Sequence, residues 1–119
     1  MPRHSDWPDS LTPAAFQILM ALADADRHGL GIVDEVETRT DGEVRLGPGT
    51  LYGTIKRLRG ADFIEDARGA PDPSDDDPRR RYYAITPSGR EALAREARRM
   101  EVMVHVARSK AVLDSEKGR

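Results

Sequence analysis

Gly47-Pro48-Gly49-Thr50-Leu51-Tyr52-Gly53-Thr54-Ile55-Lys56-Arg57-Leu58-Arg59-Gly60 is the stretch on which the reading of this chain turns. Its opening predicts a helix start, with Gly47 as N-cap and Pro48 at the first helical position, where a missing N–H costs nothing. Leu51, Ile55 and Leu58 recur at i, i+4 and i+7 and form one narrow core stripe. Helical geometry then places Gly49, Tyr52, Gly53 and Lys56 on the far side, with Arg57 at its margin. Two glycines there strip the outer face of side chains, so that another backbone can come close. Tyr52 offers a ring for a thymine methyl or a hydroxyl for phosphate, and Lys56 reaches guanine or phosphate. The N–H groups near Gly49 and Thr50 can bind a phosphate. The competing reading is a merely solvated cationic helix, and the flanking sequence decides between the two.

Upstream, Thr12 and Pro13 predict an N-cap and first residue for a helix with Ala15, Ile18, Leu19 and Leu22 inward, ending near Asp26 to Gly29. A second helix is expected from about Gly29 to Thr40, with Ile32, Val33 and Val36 apolar and Asp41-Gly42 as its stop. Val44 and Leu46 alternate with charged residues and permit a short strand. Downstream, 63–68 and 79–85 read as strands flanking a Pro/Asp loop, with Ile64, Tyr83 and Ile85 inward. Thr86 and Pro87 open a last helix whose pattern runs to about Leu113. Two helices, a turn, a third helix with a cationic outer face and a basic hairpin describe a mainly α (α+β) fold. It is a winged helix-turn-helix with a two-stranded wing and a long C-terminal helix.

The charge distribution supports a nucleic-acid partner although the chain totals −2. Residues 44–61 and 78–90 contain no acid and carry +8 between them, so the remainder carries −10. Arg79, Arg80 and Arg81 begin the second wing strand, where alternation sends Arg80 to one face and the other two to the opposite face. Asp72, Asp75, Asp76 and Asp77 precede them, so the wing tip is expected to repel phosphate.

In the last helix Leu93, Ala97, Met100, Val104, Ala107 and Ala111 are spaced 4, 3, 4, 3, 4, which is a heptad seam. A helix of about 27 residues is roughly 40 Å long and overshoots a small core. With 38% hydrophobic, 34% charged and 5% aromatic residues in 119, a monomer buries little apolar surface, and a homodimer through this helix is expected.

Several function classes drop out. There is no cysteine for a disulfide, a thiolate metal site or a thiol nucleophile. Neither a leader nor an 18-residue apolar run is seen, so a cytoplasmic protein with no membrane partner is expected. The glycines of 47–53 miss the dinucleotide spacing and lack a P-loop lysine. His4, His28 and His105 show no ligand spacing, and no catalytic constellation is visible, so neither enzyme, metal nor cofactor is expected. Trp7, the sole tryptophan, is either a residue of a disordered tail or one that folds against the dimer helices as a contact for a small-molecule effector. The rival to DNA binding is a winged-helix protein-interaction adapter, against which the two basic segments speak.

Three motifs resemble a known family: His28-Gly29-Leu30-Gly31-Ile32, the 48–58 run, and Arg81-Tyr82-Tyr83-Ala84-Ile85-Thr86-Pro87-Ser88-Gly89-Arg90. Together they resemble the PadR family of bacterial regulators over roughly residues 11–113, in its shorter layout with one terminal helix. The resemblance implies a winged-helix repressor of transcription that dimerises through the C-terminal helix and often answers to a small molecule. The expected organisation is a flexible segment at 1–10, the DNA-binding domain at 11–86, the dimerisation helix at 87–113 and a disordered tail at 114–119. Double-stranded DNA, read as an inverted repeat, is the expected partner.

Overall fold

The computed structural model describes residues 10–67 and 80–114. Seven elements follow in order: α1 (Pro13–Leu22), β1 (Arg27–His28), α2 (Gly29–Arg39), α3 (Pro48–Gly60), β2 (Ile64–Ala67), β3 (Tyr82–Ile85) and α4 (Pro87–Ser109). Trp7, Arg79 and the aspartates of the wing loop lie outside the described residues.

The helix starts obey local chemistry. Thr12 caps α1 by accepting from the Ala15 N–H, and Pro13 occupies the first position. Gly47 opens α3 with its carbonyl accepting from the Leu51 N–H at 2.8 Å, and no side-chain cap is made there. Thr86 caps α4 by accepting from the Gly89 N–H at 3.0 Å. Ala15, Ile18, Leu19, Ala21 and Leu22 of α1, Ile32 and Val36 of α2, and Leu51, Ile55 and Leu58 of α3 form the core, joined by Phe63, Ile64, Tyr83, Ala92 and Leu93. The three inner stripes read from the sequence meet here.

The sheet differs from expectation. It is three-stranded, ordered β1-β3-β2 and antiparallel throughout. Its third strand is Arg27–His28, not 44–46. α1 ends at Leu22 rather than near Asp26, and the Arg27 guanidinium donates to the Ala21 carbonyl at 2.7 Å, pinning the departing chain beside β3. Val44 and Leu46 are half-buried against the core but pair with no strand; the Val44 N–H is satisfied by the Thr40 hydroxyl at 3.0 Å. Their alternation reflects tucking inward, not a ladder. The second wing strand begins at Tyr82, after Arg80 and Arg81 rather than at Arg79. Tyr82 is buried as well as Tyr83, because the His28 ring packs edge-on against it at 5.1 Å.

α4 is also shorter than expected. It ends at Ser109, and Ala111 sits past the cap at φ 64, so Ala111 is not on a continuous helical seam. The Ala111 N–H donates to the Arg108 carbonyl and the Val112 N–H to the Ala107 carbonyl, the paired bonds of a Schellman stop. Asp41 after α2 (φ 53) and Asp62 after α3 (φ 64) close their helices in the same way.

Candidate nucleic-acid interface

α3 presents two unlike sides. Leu51, Ile55 and Leu58 are at most 2% exposed, while Gly49, Thr50, Tyr52, Gly53, Lys56 and Arg57 are all exposed. A β-carbon built on Gly49 or Gly53 meets nothing within 4 Å. Neither glycine answers to packing among the described residues, and at Gly53, in the helix interior, glycine costs about 0.8–1.0 kcal/mol relative to alanine. The outer face is therefore flat at 49 and 53 and cationic at 56 and 57.

Arg59 at the end of α3 reaches Asp66 of β2 at 3.4 Å. More important is the joint with α4: the Asp62 carbonyl accepts from Thr86 at 2.6 Å and from Ser88 at 2.8 Å, and the Thr86 N–H donates to the Phe63 carbonyl at 3.0 Å. A β-carbon on Gly89 would collide with that Phe63 carbonyl. The end of α3 is thus spliced directly onto the head of α4. Sequence reasoning read Thr86 only as a cap of its own helix and missed its second bond.

Tyr52 is half-exposed and does not point straight outward. Its hydroxyl lies over Gly29, where a β-carbon would strike it. With His28, Gly29, Leu30, Arg80, Arg81 and Tyr83 it lines a notch of about 290 Å³ between α3, the head of α2 and the base of the wing. His28, read from the sequence as a solvent or packing histidine, is the N-cap of α2: its Nδ1 accepts from the Gly31 N–H at 3.1 Å, and its Nε2 lies 3.0 Å from Arg80 Nη1. Burial raises the Tyr83 hydroxyl above the usual tyrosine range, partly opposed by Arg81, so it stays protonated. The structure brings Tyr52, Arg80 and Arg81 to one place; Lys56 and Arg57 stand further along α3.

The expected seam on α4 divides in two. Leu93 is buried with Ala92 against α1, and Ala97 is half-buried. Beyond it Met100 (42%), Met103 (59%) and Val104 (39%) are exposed, and Ala107 is half-buried. Glu96 holds the start of the domain to this helix by accepting from the Leu11 N–H at 3.2 Å. Among the described residues no cluster fit to hold a metal ion and no helix long and apolar enough to cross a membrane is present.

Residues 18–95 match the Transcriptional regulator PadR-like family. The chain is 33% identical over 84 residues, 71% of its length and 72% of the relative's, to the transcriptional regulator Rv3488 of Mycobacterium tuberculosis. It is 39% identical over 87 residues to an uncharacterized 37.1 kDa protein in transposon TN4556 of Streptomyces fradiae, of whose length the match spans only 23%. A transcriptional regulator from Clostridium thermocellum superposes with a TM-score of 0.68 at 26% identity, covering 81% of this chain and 87% of that one. A PadR family regulator from Clostridium difficile shares the fold with a TM-score of 0.69 at 22% identity, covering 84% and 99%. With the family matched across the helices, the wing and the head of α4, this chain belongs to the PadR-like family of transcriptional regulators.

Proposed function

We propose that the chain is a repressor that binds an inverted-repeat operator as a homodimer, with α3 in the major groove. The observation that carries this reading is the outer face of α3. Gly49 and Gly53 face open space with no packing reason to be glycine, and exposed Lys56 and Arg57 follow them on the same helix. A bare backbone beside cations is what close approach to a polyanion requires. Arg80 and Arg81 place further positive charge at the wing base.

The distal half of α4 supports the homodimer. The stripe that buries Leu93 on the chain's own α1 continues, a turn or two later, as exposed Met100 and Val104 with Met103 beside them. At 23 residues the helix is about 34 Å long, and its far half lies beyond the domain that covers its near half. A second copy related by a two-fold axis covers both stripes at once. Because the Asp62–Thr86–Ser88 joint ties α3 to α4, the dimer geometry sets the separation of the two reading helices. Half-site centres are then one helical turn, about 10 bp, or a multiple apart.

Light scattering and mobility shift on a duplex selected by the protein from a random pool test the reading together. Met100→Asp with Val104→Asp is expected to give a monomer that loses at least tenfold in operator affinity, since one half-site must then hold alone. Lys56→Ala is expected to lower the slope of log affinity against log salt by about 1 per half-site if Lys56 sits on phosphate. An unmodified protein that scatters as a monomer, or selects no duplex, overturns the proposal.

A further inference from the structure

The notch between α3, the head of α2 and the wing base draws its lining from three parts of the fold. We propose that it seats a single backbone phosphate of the bound DNA in each half-site, and that Tyr52 therefore acts on the DNA backbone rather than reading a base. This rests on the DNA-binding reading and assigns one of its residues a distinct task.

What marks the notch is its side chains. Arg80 and Arg81 both line it, both exposed and both just ahead of β3. The His28 ring lies beside Arg80, with Nε2 3.0 Å from Arg80 Nη1. Opposite them the Tyr52 hydroxyl lies on Gly29, in the space where any other residue would place a β-carbon. Among the described residues no acidic side chain lines the notch. At about 290 Å³ it has room for a phosphate group with water. Two guanidiniums and a hydroxyl converging from separate elements match a tetrahedral dianion or a diester, and guanidinium is the best side chain for phosphate.

The orientation of Tyr52 decides between its two conceivable tasks. A ring that reads a thymine methyl has to project from α3 into the groove. Here the ring instead reaches Gly29 at the head of α2, and Tyr52 lines the notch together with the wing arginines. Gly29 is then a positioning residue: it touches no DNA, but its lack of a side chain gives the tyrosine its place. A phosphate bonded to α3 and the wing at once also registers the reading helix on the duplex, as backbone contacts do generally.

The test compares the duplex selected by the protein with a short random-sequence duplex, each over a range of salt. Tyr52→Phe keeps the ring and removes only the hydroxyl. It is expected to weaken both duplexes by the same factor, roughly tenfold per half-site, with the salt slope unchanged. Gly29→Ala is expected to copy that pattern by displacing the hydroxyl. Arg80→Gln is expected to weaken both and to lower the salt slope by about 1 per half-site. Loss on the selected duplex alone in Tyr52→Phe makes Tyr52 a base reader and overturns the proposal. So do Tyr52→Phe and Arg80→Gln proteins that bind as the unmodified one does while Lys56→Ala weakens binding; the DNA-binding reading then survives without the notch. Failure of the unmodified protein to select any duplex is the distinct result that removes both.

Discussion

At the head of α4 a β-carbon on Gly89 would run into the Phe63 carbonyl, whereas on the outer face of α3 a β-carbon on Gly49 or Gly53 would meet nothing. The same residue type answers to two different demands. Gly89 is buried at the joint where Thr86 and Ser88 bind the Asp62 carbonyl, so the fold itself excludes any larger residue. Gly53 sits in a helix interior, where glycine weakens the helix, and nothing among the described residues returns that cost. A glycine that folding does not need points to something outside the chain, which the proposed function makes the DNA backbone. On that proposal the difference separates the part of the molecule that aims α3 from the part that meets DNA.

The sharpest way to break this contrast is at the joint. Gly89→Ala is expected to destabilise the protein by about 3 kcal/mol, because the colliding atom is backbone and cannot rotate away. Urea unfolding measures this, and a loss below about 0.5 kcal/mol would show that the joint yields easily. A smaller effect of opposite sign is expected at Ala111, which adopts φ 64 where glycine is usual. Ala111→Gly should raise stability by about 1 kcal/mol by relieving left-handed backbone strain. An unchanged midpoint there would mean that the stop beyond α4 frays in solution.

Much of this architecture was legible from local chemistry. Thr12, Gly47 and Thr86 each stand before a proline, and a cap followed by proline needs no tertiary context to be recognised. The stripes of α1 and α3 were equally plain, since helical period survives in any surroundings. β1 was not legible, because two residues carry no period and Arg27 is held by a carbonyl of the preceding helix. Val44 and Leu46 misled for the converse reason: they alternate inward and outward with no strand to pair with. The end of α4 was overrun because an alanine, not a glycine, occupies the left-handed stop.

The candidate site divides along the same line. That Gly49, Tyr52, Gly53, Lys56 and Arg57 share an exposed side follows from helical spacing alone. That Tyr52 leans onto Gly29 beside Arg80 and Arg81 follows from how α2, α3 and the wing pack, and no spacing within α3 encodes it. His28 showed the same gap. Its residue type and place before Gly29 were visible, but a histidine that caps α2 through Nδ1 and lies with Nε2 3.0 Å from Arg80 depends on how β1, α2 and the wing base pack.

Gly53→Ala puts the central claim to its most direct test, because stability and binding are expected to move in opposite directions. The added methyl group meets open space, so thermal unfolding should shift upward, by about 0.8 kcal/mol of helix propensity. The same methyl group stands between α3 and the DNA, so affinity for the selected duplex should fall at least tenfold. A variant that is more stable and binds as tightly as the unmodified protein would contradict the placement of this face of α3 against DNA.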